Sequence, residues 1–248
     1  MDIILIALIL AAGTGSRLMP LTRDKPKPLL EIGGVTLLER MVLNCLNQNV
    51  DEFLLVTGHQ KEKVEKEIDA LVDKYHVKIR TVENKEFSTT NTSCSVYLGT
   101  LNQDDDLIII NGDNVMDEKI ISGLLKTPRT ALVVDNTKKL NHESFKIKIQ
   151  NHKIEEIGKQ IDTESASGEF IGISKISRED LPLFRSILKN LIAEDPQNYY
   201  DTAYQQLSQE DNINYFYTNG LKWTEIDDHT DWQYAQKLVK ELEDNKKC

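Results

Sequence analysis

Cysteine is scarce: Cys45, Cys94 and Cys248 are the only three in 248 residues. Their odd number and lack of metal-ligand spacing read as the reduced thiols of a cytosolic protein. Cys45 falls on the apolar face of a predicted helix and is assigned to packing, and Cys248 to an exposed terminus. The histidines, His59, His76, His142, His152 and His229, never take an HxxxH spacing, so no zinc site is expected. Positive charge is also short. Thirty Lys and Arg stand against 40 Asp and Glu, a net charge of −10. That balance argues against nucleic acid or a membrane surface as partner. No apolar run is long enough to span a bilayer. The opening MDIILIALILAAG carries Asp2 where a signal peptide would be basic, so it reads as a first core strand.

What is present is enough apolar sequence, 40% of the chain, for a sizeable core in one large α/β domain. Strands are predicted at 3–10, 53–56, 77–82, 107–111 and 130–135. Helices are predicted between them at 36–47, 60–75, 93–101 and 118–126. This alternation implies right-handed crossovers and a mostly parallel, Rossmann-like sheet flanked by helices. From residue 138 the rhythm changes. A hairpin (145–149 and 153–157 about Asn151-His152), a strand at 170–174 and helices at 181–193 and 201–209 follow. Strands at 213–217 and 222–226 and a closing helix at 231–242 complete a smaller mixed α+β part. The expected plan is a single domain over residues 1–248, with a nucleotide-binding half to about 135 and an acceptor-binding half over about 136–248.

Against the acidic background, Arg17, Arg23, Lys25 and Lys27 form a basic cluster just after the first strand. There LILAAGTGSRLMPLTRDKPKPLL runs from Leu8 to Leu30. Gly13 and Gly15 let the backbone approach a ligand closely, and loop N–H groups can ring an anion. Arg17 adds a planar fork for phosphate oxygens, and Lys27, expected to be exposed to ligand, adds a point charge. GxxxxGK[ST] is absent. GxGxxG fails because Leu18 stands where its third Gly would be, which disfavours an NAD-dependent oxidoreductase.

The string resembles the signature of the nucleoside-triphosphate transferase family, L-x-A-A-G-x-G-x-R-x-x-P-L-T…P-K-P-L-L. Sugar-1-phosphate nucleotidylyltransferases and phosphocholine cytidylyltransferases belong to that family. Leu10, Ala11, Ala12, Gly13, Gly15, Arg17, Pro20, Leu21, Thr22, Pro26, Lys27 and Pro28 all match. The resemblance implies a nucleotide-diphospho-sugar transferase type of fold. It implies nucleotide binding by Leu10, Ala11, Ala12, Gly13, Thr14, Gly15 and Ser16, with Arg17 and Lys27 as catalytic groups. Asn91, Ser93 and Ser95 resemble the segment near the base. Asn111 and Gly112 join the nucleotide set, and Asn111 and Asn114 are candidates for the ribose.

Joining two phosphates requires a dication, and Mg²⁺ favours a couple of carboxylates plus phosphate oxygens. Asp113 follows the buried run LIIING, at the ligand edge of the sheet. On a strand, Glu225 and Asp227 in WTEIDD would point to one face. The resemblance makes Asp113, Glu225 and Asp227 the metal ligands, and Asp228 is assigned to capping the last helix. Lys159 resembles the family's second lysine, which meets the acceptor phosphate. Glu169, Tyr200 and Asp201 resemble acceptor-pocket positions. No covalent nucleophile is expected.

The implied partners are a nucleoside triphosphate and a phosphorylated small molecule. Chain size and the E-I-D-D segment favour CTP with a phosphorylated amine or amino acid such as phosphocholine or phosphoglutamine. A sugar 1-phosphate used with UTP or dTTP is the alternative. Aromatics, at 6% of the chain, are few for a quaternary-ammonium cage. No room remains after Trp223 for a C-terminal β-helix, so bifunctional acetyltransferase relatives are not expected. A non-catalytic nucleotide sensor would have lost Lys27 or the metal acids, and both are present. A homodimer is left open.

Overall fold

Strand β1 (Leu5–Ala11) lies at the middle of the molecule, between two parallel neighbours, β4 (Glu52–Thr57) and β6 (Asp106–Asn111). The structure, a computed structural model, describes residues 4–210 and 213–245, so Asp2 and Cys248 lie outside the described residues. Parallel β5 (Lys78–Glu83) extends the sheet beyond β4. Helices α1 (Leu37–Leu46), α2 (Lys61–Tyr75) and α3 (Thr92–Thr100) make the crossovers. Burial on both faces explains why β1 shows no polar alternation. Ala7 and Ile9 pack into one layer, with α1, α2, α4 (Lys119–Lys126) and α7 (His229–Asn245). Ile6 and Leu8 pack into the other, with α3, α5 (Leu181–Glu194) and α6 (Asp201–Glu210).

The sheet continues past β6 without a break. Strand β11 (Gly168–Ile176) runs antiparallel to β6 and also pairs with β8 (Ala131–Asp135) and β9 (Lys146–Gln150). Strand β10 (Lys153–Gly158) closes a hairpin on β9, and β12 (Asn214–Tyr217) lies parallel to β8. The turn of that hairpin holds Asn151 and His152 at φ 49° and 62°, the left-handed pair that a two-residue turn requires. The division near residue 135 therefore falls at the end of β8, within one nine-stranded sheet. Local signals match local structure. Thr36 caps α1 by accepting from the Glu39 N–H at 3.1 Å, as the T-x-x-E spacing favours. Asp228 caps α7 through the N–H groups of Thr230 and Asp231.

Three departures from the sequence reading affect the site. The ribbon β2 (Glu31–Ile32) with β3 (Val35–Thr36), and strand β7 (Asn114–Met116), are too short to show a period. Strand β11 begins at Gly168, before residue 170, and all nine of its residues are buried, Glu169 and Lys175 included, so no polar alternation marks its ends. Strand β13 (Trp223–Glu225) ends before Ile226 and pairs with β7 in a ribbon outside the main sheet. Among the described residues no helix is long and apolar enough to cross a membrane.

Candidate active site

The loop after β1 is pinned at several points. Gly15 takes the left-handed conformation (φ 63°), and its carbonyl accepts from the Leu18 N–H at 3.0 Å and the Thr22 hydroxyl at 2.8 Å. Leu18 is fully buried, so the side chain that breaks the dinucleotide fingerprint is a core anchor. A second short turn, Lys27–Leu29, is held by the buried side chains of Pro28 and Leu29, which fixes where Lys27 emerges. At the next strand end, a Cβ on Gly112 would lie 1.9 Å from the Leu10 carbonyl oxygen. Only glycine allows the backbone after β6 to cross there, and the crossing sets Asp113 beside the loop.

Asp227 reaches the same place by a different route from the one expected. Because β13 ends at Glu225, Asp227 lies in the turn before α7 and does not share a strand face with Glu225. The β13–β7 register sets Glu225 opposite Asn114, and the Ile226 N–H donates to the Asp113 carbonyl at 3.1 Å. Asp231 holds the turn by accepting from the N–H of Asp227 at 3.0 Å. As a result the Lys27 ammonium donates to Asp113 Oδ2 at 2.8 Å and to Asp227 Oδ1 at 3.4 Å. Arg17 Nη2 pairs with the same Asp227 oxygen at 2.8 Å.

The Lys27 side chain is only 13% exposed, whereas the sequence suggested an open, ligand-facing lysine. Burial opposes its charge, but Asp113 and Asp227 outweigh burial and raise its pKa above the ordinary lysine value. Arg17 is 70% exposed. Lys25 turns away to Glu31 at 2.6 Å.

Two adjoining cavities meet at this cluster. The smaller, about 350 Å³, is lined by residues 10–17, by Lys27, and by Phe87, Asn91 and Ser95. The larger, about 1070 Å³, is lined by Lys159, Glu169, Tyr200, Asp201 and Glu225 among others. Arg17, Asn111, Asp113 and Asp227 border both. Of the residues expected to bind nucleotide, Ser93 alone lines neither cavity; it is fully buried in the first turn of α3. Asn114, a candidate for the ribose, is buried as well, and its amide donates to the Ile171 carbonyl at 3.1 Å.

In the larger cavity the acceptor candidates have defined partners. Tyr200 is buried and donates to Asn111 Oδ1 at 3.1 Å. Lys159 pairs with Glu143 at 3.2 Å and lies 5.4 Å above the Tyr199 ring. Glu169 pairs with Lys138 at 3.1 Å. Burial pushes the Asp201 carboxyl up to about 7, partly countered by Lys159. Burial, reinforced by the charges of Asp113, Asp227 and Glu169, pushes Glu225 well above the usual carboxylate range.

Asp135, Lys138 and Glu143 also line the larger cavity, although no motif in the sequence marks them. Asp135 could have been found, because it ends a buried strand much as Asp113 follows one. It accepts from the Trp223 indole N–H at 2.5 Å and from the Thr137 N–H at 2.7 Å, tying β13 to the end of β8.

Among the described residues no three Asp, Glu, His or Cys side chains form a ready-made cation cage. The expected trio of Asp113, Glu225 and Asp227 is therefore not preassembled, because Asp227 has left the strand that carries Glu225. The chemistry of the donors still suits Mg²⁺. Asp113 and Asp227 already share one cationic partner, and Asp113 Oδ1 is buried without a hydrogen-bond partner. Two carboxylates completed by phosphate oxygens and water are an ordinary Mg²⁺ set.

A family model described as nucleotidyl transferase matches residues 6–136. The chain is 29% identical over 233 residues to the bifunctional protein GlmU of Methanocaldococcus jannaschii, which covers 94% of this chain and 54% of that protein. The chain thus spans about half the length of that relative. It is also 29% identical over 241 residues to the choline-phosphate cytidylyltransferase of Haemophilus influenzae, covering 94% of this chain and 97% of that one. Among solved structures, the CTP:phosphocholine cytidylyltransferase LicC of Streptococcus pneumoniae shares the fold. Its TM-score is 0.78 at 22% identity, over 96% of this chain and 100% of that one.

Proposed function

Because the chain belongs to the nucleotidyl transferase family, we propose that it transfers the nucleoside monophosphate part of CTP to a phosphorylated small molecule and releases pyrophosphate. The observation that carries this reading is the meeting of two cavities at one cluster of fixed charge, Arg17, Lys27, Asp113 and Asp227. The smaller cavity, with its glycine loop, suits a nucleotide. The larger suits a polar acceptor.

An oxygen of the acceptor phosphate attacks the α-phosphorus. The new P–O bond forms as the bond from that phosphorus to the bridging oxygen of the β-phosphate breaks, and pyrophosphate leaves with the electron pair. Lys27 holds charge on the transferring phosphate from a nearly fixed position. Arg17, largely exposed, swings from Asp227 onto phosphate oxygens. Such preorganised cations stabilise charge that develops in the transition state, and holding both anions in line supplies the remainder. Asp113 and Asp227 would hold Mg²⁺, with Glu225 beside them, and the ion supplies neutralisation of the phosphates when bound. Lys159, beside the acceptor, takes its phosphate.

Support for CTP and a phosphorylated amine comes from the alignment with the Haemophilus influenzae choline-phosphate cytidylyltransferase, which runs over 97% of that enzyme. A sugar 1-phosphate used with UTP or dTTP is the second reading. The larger cavity, about 1070 Å³, has room for a hexose. Pyrophosphate release, measured for CTP, UTP, dTTP, ATP and GTP against phosphocholine, phosphoethanolamine, phosphoglutamine and glucose 1-phosphate, tests both. Fastest release with CTP and a phosphorylated amine is expected. Fastest release with UTP or dTTP and glucose 1-phosphate transfers the protein to the second reading, and no release with any pair refutes both.

A further inference from the structure

We infer that the acceptor bears an ammonium with at least one N–H, which Asp201 receives, in place of a quaternary ammonium or a neutral sugar. This rests on the proposed nucleotidyl transfer for its phosphate end, and on the larger cavity for the other end.

The acids that line this cavity differ in what they lack. Asp135 accepts from Trp223, Thr137 and Thr218. Glu143 pairs with Lys159, and Glu169 with Lys138. Asp113 and Asp227 share Lys27, and Asp231 accepts from the turn that carries Asp227. Among the described residues Glu225 has no such partner, but it belongs with Asp113 and Asp227 in the charged cluster. Asp201, outside that cluster, lacks one as well. It is 9% exposed and lines the cavity, and its Oδ1 is buried with no hydrogen bond among the described residues. A buried carboxylate oxygen without a donor is costly, so a ligand that brings an N–H recovers that cost on binding.

The aromatic residues point the same way. A quaternary ammonium is held by open ring faces. Here the Tyr199 and Trp223 rings already carry Lys159 at 5.4 Å and Lys138 at 4.8 Å over their faces. Phe170 and Tyr200 are buried and meet edge to face, with ring centres 6.2 Å apart. A quaternary nitrogen has no N–H to offer Oδ1, and a hydroxyl offers a hydrogen bond without the charge. An N–H-bearing ammonium offers both. Lys159 lines the same cavity and is the candidate for the phosphate of the same small molecule.

The test is calorimetric titration of the full-length protein with phosphoethanolamine, phosphocholine and 2-hydroxyethyl phosphate, which share a phosphate and differ at the far end. Phosphoethanolamine should bind roughly tenfold or more tightly than the other two, the scale of one hydrogen bond to a charged group. D201N should remove that preference. Equal or tighter binding of phosphocholine or 2-hydroxyethyl phosphate, binding of none of the three, or a preference that survives D201N overturns the inference. Pyrophosphate release from CTP is read separately. Binding with the expected preference but no release sinks the transferase reading alone. Release with phosphocholine favoured sinks this inference alone.

Discussion

Replacing Lys27 by Met removes one charge from the cluster and keeps most of the side-chain volume. At 2.8 Å from Asp113 and an effective dielectric of 20, the lost attraction is about 6 kcal/mol before desolvation is counted. Asp113 and Asp227 are 24% and 36% exposed, and Arg17 still serves Asp227, so solvent and Arg17 recover much of it. A stability loss of roughly 1–3 kcal/mol remains. The Lys27 pKa is raised in the folded state, so its contribution is full below the unfolded lysine value and fades only as pH rises through the higher folded one. The stability difference between wild type and K27M should therefore be flat from pH 6 to pH 9, as read by urea denaturation.

The catalytic loss should be larger than the stability loss. One preorganised stabiliser is worth on the order of 10²–10³ in turnover. Pyrophosphate release by K27M, at a temperature where it is fully folded, should fall by that factor. The variant also frees Asp113 and Asp227 from their internal cation. Mn²⁺ titrated without nucleotide and followed by electron paramagnetic resonance should bind K27M more tightly than wild type. Near-normal kcat/KM in the folded variant would refute the role given to Lys27. Unchanged Mn²⁺ affinity would refute the claim that its ammonium shares their carboxylates.

Two further outcomes follow from the structure. The Asp201 carboxyl is pushed up to about 7 from 3.8, so the folded state holds its proton more tightly than the unfolded chain. This acid should cost stability progressively from about pH 4 to pH 7, reaching about 4 kcal/mol above that range. D201N should therefore raise the Tm at pH 8, with little effect at pH 4; a lower Tm at pH 8 would mean the carboxylate is satisfied in the fold. Gly112→Ala places a Cβ against the Leu10 carbonyl and should displace Asp113. Pyrophosphate release should fall at least tenfold, by the sensitivity of such chemistry to ångström misplacement, with a lower Tm; wild-type values for both would show that the backbone crossing tolerates a side chain.

Much of the fold could be read in advance because its central strands are buried on both faces. Runs such as LIALILA and DLIIIN then appear as uninterrupted apolar segments between amphipathic helices. The glycine loop was legible for a local reason: it is short, and Gly13, Gly15, Arg17 and Lys27 sit within a few positions of one another. The rest depends on pairing over long separations. Strand β7 is three residues long, and only its register with β13 brings Asp227 to Lys27. Lys27 looked open in sequence because nothing nearby announces carboxylates 86 and 200 positions away. Ser93 and Asn114 are polar residue types suited to ligands, yet helix phase and strand burial turn both inward. Asp135 ends a strand with only a local turn, through Thr137, to mark it; its tie to the site comes from Trp223 and Thr218, beyond residue 200.

The central claim is that the cluster between the cavities transfers a nucleotidyl group. Following separate labels on the two ends of CTP tests it most directly. With wild-type protein, Mg²⁺ and phosphoethanolamine, label on the α-phosphate should appear in the acceptor-linked product, and label on the γ-phosphate in pyrophosphate. Label from the γ-phosphate on the acceptor, or release of both labels without an acceptor-linked product, would contradict it.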